Sequence, residues 1–253
     1  MAAPRRLFGP KHRSRGAIVR HVIDPARTLR ALAGLLAATA LALGSPAAAA
    51  QLEGGIDLFE LHPGPDNTHL VMESTWELGQ LALKVDGGSD TRPTFEDVEL
   101  QGLWMPEVAR GVKLAFGVRQ DLRPGDDLTH AVAGVEAELL PWLSGEHYFF
   151  LSQHGDVTGS AKLVARWSLA RGLALEPRAQ LEWAPRAIPR EGLAGGATGL
   201  ELSARLRHSL TEHLDVYAGV IHERALGGTA AIAEADGSPV HVTRAVIGAG
   251  ISL

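Results

Sequence analysis

The chain has 253 residues, with 24 lysines and arginines against 29 aspartates and glutamates, 45% hydrophobic residues and no cysteine. The lack of cysteine excludes zinc–thiolate sites and thiol nucleophiles. The acidic balance leaves no basic stripe for nucleic acid.

Residues 1–50 read as a secretory signal rather than as part of the fold. A basic leader (Arg5, Arg6, Lys11, Arg13, Arg15, Arg20, Arg27, Arg30) precedes the apolar run "ALAGLLAATALALG" (31–44) and the small residues "SPAAAAQ". That order describes a Sec signal peptide cut before Gln51, and the apolar run is shorter than the roughly 20 residues of a spanning helix. Taking eight basic residues and Asp24 out of the 24 and 29 leaves 16 and 28, so residues 51–253 carry a charge near −12 and nine of the eleven histidines. No later apolar run could form a membrane helix, so entry into a membrane would require a closed barrel.

Residues 51–253 form one expected domain built on a period of two. "EDVELQGLW" (96–104) sets Val98, Leu100, Gly102 and Trp104 against Asp97, Glu99 and Gln101. "GVKLAFGVRQDL" (111–122) sets Val112, Leu114, Phe116 and Val118 against Lys113, Gly117, Arg119 and Asp121. The same alternation runs through "VTGSAKLVARWSL" (157–169), "LALEPRAQLEW" (173–183) and "LELSARLRHSL" (200–210). Such alternation makes a strand with one apolar and one polar face. Twelve strands are expected, near 56–62, 69–77, 80–86, 96–104, 112–122, 129–139, 145–153, 157–169, 173–183, 199–210, 214–224 and 240–253. Most have the 9–12 residues a membrane strand requires, against about five or six in globular sheets.

The connections alternate too. Long ones (86–94, 184–198, 225–239) fall after odd strands, and tight ones (Gly79, 170–172, 211–213) after even strands, with "MPEVARG" and "PWLSGE" longer than the pattern asks. The expected fold is all-β: a transmembrane antiparallel up-and-down β-barrel of about twelve strands, with short periplasmic turns and longer extracellular loops. Charged residues then line a lumen, where Lys113, Arg119, Lys162, Arg166, Arg178, Arg205 and Arg207 can pair with Glu99, Glu136, Glu138, Glu176, Glu182, Glu201 and Asp215. A soluble sandwich is the alternative.

Several stretches resemble the copper resistance protein B family of proteobacterial outer-membrane barrels. They are "IDLFELHPG" (56–64), "VRQDLRPGDD" (118–127), "HGDVTGSAKLVARWSLARGLALEPRAQLEW" (154–183), "VYAGVIHERALGGTAAIAEADG" (216–237) and the terminal "VTRAVIGAGISL". Glu223, Arg224, Gly227, Gly228, Thr229 and Ala230 are the most specific group. The resemblance implies an outer-membrane protein of copper resistance and homeostasis that binds copper ions or passes them. Its partners would be copper, outer-membrane lipid and a periplasmic copper protein. A general polar-lumen channel, or a structural barrel without metal specificity, remains the alternative.

Cu(I) favours thioether and thiolate, whereas Cu(II) accepts imidazole and carboxylate. Strand parity places His69, Glu73, Glu99, Met105, His130, Glu136 and Glu138 on the lumen side. His69 and His130 would be imidazole ligands and Met105 a thioether, with Glu136 and Glu138 in an attracting carboxylate ring. The bland reading keeps both histidines as solvated neighbours of loops and Met105 as a strand end before Pro106. Parity turns His147 and His222 outward, and His62, His154, His208, His213 and His241 sit in or beside turns. Glu223, Arg224, Gly227 and Gly228 are expected to anchor a loop, with a Glu223–Arg224 salt bridge at the rim and glycines for positive φ. No enzyme is expected. The adjacent His208 and Ser209 of "RHSL" point to opposite faces of a strand, which defeats the direct pair a twelve-stranded barrel phospholipase needs.

Overall fold

The computed structural model describes residues 52–63, 68–90, 97–123 and 127–252; the expected signal peptide lies outside them. Twelve strands follow one another: β1 Leu52–Pro63, β2 Thr68–Leu78, β3 Leu81–Asp90, β4 Asp97–Trp104 with a continuation Glu107–Ala109, β5 Val112–Leu122 and β6 Leu128–Leu140. Next come β7 Leu143–Ser152, β8 Val157–Ala165 with a continuation Trp167–Ala170, β9 Leu173–Ala184, β10 Gly196–Ser209, β11 Leu214–Ala225 and β12 His241–Ser252. Every strand pairs antiparallel with its sequence neighbours, and β1 pairs with both β2 and β12, which closes the sheet. Closure removes the unpaired edges that a membrane interior would not tolerate.

Prolines account for the two interrupted strands. Pro106 separates the pieces of β4. Pro177 on β9 lies where the ladder to β8 fails: Arg178 pairs Val164 and Leu175 pairs Trp167, while the positions between carry no pairing. A proline has no N–H to give the ladder. Because strands extend into "MPEVARG" and β7 begins at Leu143 within "PWLSGE", the turns at one end shrink to two residues, or four between β10 and β11. At the other end the connections run from four to fifteen residues. The alternation is therefore cleaner than the sequence suggested.

The outward face carries Phe59, Phe116, Val118, Phe149, Leu151, Leu163, Leu181, Leu202, Leu206, Val220 and Ile247, all exposed. A continuous apolar exterior of this kind is what lipid requires and water penalises. Trp104, Trp142 and Trp167 sit at the short-turn rim, with Trp142 and Trp167 ring centroids 6.3 Å apart. Towards the long-loop end Trp183 covers Gly159, where a Cβ would stand 2.3 Å from the indole ring; any larger residue there would push the tryptophan off the wall.

The longest connection contains a helix, α1 Gly227–Ala235, in a segment that reads as loop. It packs on β10 and β11, burying Thr229 and Ala233.

Candidate functional site

The inward faces enclose a cavity of about 660 Å³. Its lining includes fourteen carboxylates, eight lysines and arginines, and four histidines (His62, His69, His130, His154). The excess of carboxylate makes the lumen cation-attracting.

Register explains how the acids gather. Glu73, Asp86, Glu99 and Asp121 occupy directly opposed positions on β2, β3, β4 and β5, forming an acidic row across four strands. Like charges in opposed positions repel, and cations of the facing wall and of β5 itself offset this. Arg178 Nη1 reaches Glu73 at 3.3 Å and Lys162 lies 3.8 Å from it. Arg119 bridges Glu99 (2.7 Å) and Asp121 (2.5 Å). The network continues through Lys162–Glu146 (3.2 Å), Lys84–Glu146 (3.3 Å) and Lys84–Glu136 (2.5 Å) on one side. On the other it runs through Arg178–Glu176 (2.7 Å), Arg207–Glu176 (3.1 Å) and Arg207–Asp215 (2.7 Å). Asp86, Glu182 and Glu201 line the cavity without an ion pair among the described residues.

The deepest pair is Glu60 with Arg205, which expose 1% and 2% of their surfaces. Arg205 donates from Nε to Glu60 Oε1 (2.5 Å), from Nη2 to Oε2 (3.1 Å) and from Nη1 to Ser203 Oγ (2.7 Å). His62 completes the group, its Nε2 2.8 Å from Glu60 Oε2.

The expected ligands are spread along this lumen. His69 is buried on β2 directly opposite His62 of β1. His130 is buried on β6, with Nδ1 3.8 Å from Asp121 and without a hydrogen bond. Its ring meets Phe150 edge-on at 6.3 Å. Glu136 is held by Lys84 and by Tyr148, whose hydroxyl donates to Oε1 at 2.6 Å. Met105 is buried in an apolar cluster with Ala82, Leu103, Ala115, Val132, Tyr148 and Phe150, outside the cavity lining. Glu138 is exposed beside Gly111 at the short-turn rim. Among the described residues no three His, Asp or Glu side chains are arranged to hold a metal ion.

His62 was missed because it adjoins a turn and has no tight histidine spacing. Its parity with Glu60, against exposed Phe59 and Leu61, is the signal that could have found it.

Two long connections fold over the mouth. Arg123 grips Glu191 through Nη1 (2.8 Å) and Nη2 (3.1 Å), and Arg190 reaches Asp156 at 3.1 Å. Ala194 N donates to Thr229 Oγ1 at 3.0 Å, joining loop 185–195 to α1. Gly227 has φ +50°, and a Cβ on Gly228 would lie 2.7 Å from Ala194 Cβ. Glu223 is buried and bonded to Arg244, while Arg224 is exposed. The expected Glu223–Arg224 bridge is replaced because neighbours on a strand point to opposite faces.

The sequence profile of the "Copper resistance protein B precursor" family matches residues 52–252. The chain belongs to the copper resistance protein B family. Copper resistance protein B of Escherichia coli is 29% identical over 171 residues, which cover 67% of this chain and 57% of that protein, so the match spans little more than half of the relative's length. Among solved structures, the NanC porin superposes with a TM-score of 0.56 at 9% identity, covering 80% of this chain and all of that one. The KdgM porin gives 0.51 at 8% identity, covering 80% and 99%. At such identity these porins establish the fold: a closed twelve-stranded barrel of outer-membrane type, here in a copper resistance B chain.

Proposed function

We propose that this copper resistance B protein resides in the outer membrane after Sec export, where it binds copper ions in its lumen and passes them across the barrel. The observation that carries the reading is the lining of the cavity: imidazoles of His69 and His130 beside carboxylates that outnumber the fixed cations. Carboxylates raise the local concentration of a cation, and imidazoles supply ligands suited to Cu(II). Of the other candidate ligands, Glu136 contributes to the field from its place between Lys84 and Tyr148. Met105 and Glu138 stand away from the main cavity, nearer the short-turn end. Long loops face the exterior and short turns the periplasm, where a soluble copper protein would supply or receive the ion. The role is non-enzymatic.

The experiment compares uptake of copper, zinc and a small sugar into liposomes carrying the refolded protein. Copper-selective uptake, reduced by His69→Ala or His130→Ala, is expected. Equal uptake of all three solutes would leave a general polar channel and overturn the copper reading.

A further inference from the structure

We infer that His62 and His69 together form a two-imidazole Cu(II) site on the lumen wall, fixed from behind by Glu60 and Arg205. The inference rests on the copper reading above and names its ligands and oxidation state.

The register carries the argument. His62 and His69 are directly opposed residues on β1 and β2. Opposed side chains share a face, with Cβ atoms about 4.5–5.5 Å apart. Two imidazoles rooted at that separation can both reach one ion at the usual metal–nitrogen distance of roughly 2.0–2.1 Å. Both line the cavity, and they expose only 5% and 8% of their surfaces.

The orientation of His62 is the second observation. A carboxylate only accepts, so the 2.8 Å contact makes Nε2 of His62 the donor to Glu60. In the neutral ring that leaves Nδ1 as the nitrogen able to bind a metal. A ligand histidine whose other nitrogen donates to a carboxylate has its tautomer fixed and its basicity raised. Glu60 is itself held bidentately by Arg205, so the ring is oriented before any ion arrives.

The incompleteness of the site also has meaning. Two protein ligands leave the remaining positions to water, and such a site exchanges its ion. A conducting lumen must bind strongly enough to admit and weakly enough to release. With imidazole, carboxylate and water as the donors, Cu(II) is preferred over Cu(I), which seeks sulfur.

The test is electron paramagnetic resonance of the purified full-length protein loaded with less than one equivalent of Cu(II), together with calorimetric titration of Cu(II) alone. Wild type should show superhyperfine splitting from two nitrogens. His62→Gln and His69→Gln should each remove one nitrogen and weaken binding at least tenfold. Glu60→Gln should keep both nitrogens and weaken binding about tenfold. His208→Gln, at the short-turn rim, should change neither. Heat-modified mobility on gels reports whether each variant closes its barrel, and the two histidine variants distinguish this pair from His222 and His241, whose ring centroids lie 6.2 Å apart. A wild-type spectrum lacking two nitrogens, or variants that keep both at unchanged affinity, would overturn the site. Copper-selective uptake that persists in both histidine variants would also overturn it while leaving the copper reading intact. A two-nitrogen site in a barrel that passes all solutes alike would do the reverse.

Discussion

Replacing Arg205 by methionine isolates the cost of a buried charge in this barrel. Arg205 makes three hydrogen bonds, two to Glu60 and one to Ser203, and both members of the ion pair are almost wholly buried. Removing one partner of such a pair typically costs about 3–5 kcal/mol, because the survivor keeps its charge without compensation. Here His62 still donates to Glu60, which places the expected loss near the lower limit, about 3 kcal/mol. Glu60→Gln should cost a similar amount by stranding the guanidinium. The double variant has no charge left to strand and should lose only about 2 kcal/mol, far less than the sum, giving a coupling of several kcal/mol. Urea unfolding of the protein in lipid vesicles, followed through its five tryptophans, measures all three. An Arg205→Met loss under about 1 kcal/mol, or a double variant equal to the sum of the singles, would refute the claim that this pair is a desolvated unit.

Other perturbations have equally definite readouts. Arg123→Met breaks the bidentate latch to Glu191; a loss of about 1–2 kcal/mol corresponds to a 5–30-fold rise in loop opening, read as faster tryptic cleavage at Arg186 or Arg190. Gly228→Leu drives a side chain into Ala194 and should destabilise the loop by about 1–3 kcal/mol, raising the same cleavage rate without changing strand content by circular dichroism. Glu182→Gln and Glu201→Gln should each lower the cation-to-anion permeability ratio roughly twofold, measured as reversal potential across a planar bilayer in a salt gradient. Trp142→Ala with Trp167→Ala removes an aromatic pair worth about 0.5–1.5 kcal/mol beyond its buried area, and should slow insertion into vesicles while leaving the loops protease-resistant.

The strands were legible because two solvents act on them. With lipid outside and charge inside, every second residue must be apolar, and Phe116, Val118, Leu202 and Leu206 fall on the expected face. The interruptions were not expected: 157–169 read as one unbroken strand, and the break opposite Pro177 shows only in the pairing. What parity could not give was the neighbour across the ladder. Met105 points inward, but whether it meets cavity or apolar cluster depends on Ala82, Ala115 and Val132 from three other strands. His62 gains its partner through a β1–β2 register that includes a bulge near Asp57, and Glu223 gains Arg244 through β12. The helix α1 escaped notice because Gly227 and Gly228 are poor helix formers; alanines and packing on β10 outweigh them.

The charge arrangement also limits what the lumen can hold. An acidic row such as Glu73, Asp86, Glu99 and Asp121 would by itself trap any divalent cation that entered. Arg119 between Glu99 and Asp121, and Arg178 with Lys162 at Glu73, already occupy most of that row. Of the carboxylates left without ion pairs, Asp57 lies on β1 and Asp86 on β3, while Glu182 and Glu201 are diagonal neighbours on β9 and β10. Fixed cations therefore divide one deep electrostatic well into separated shallow ones. On the proposed copper reading, an entering ion would meet several weak sites in place of one strong one, and weak binding is the condition for release.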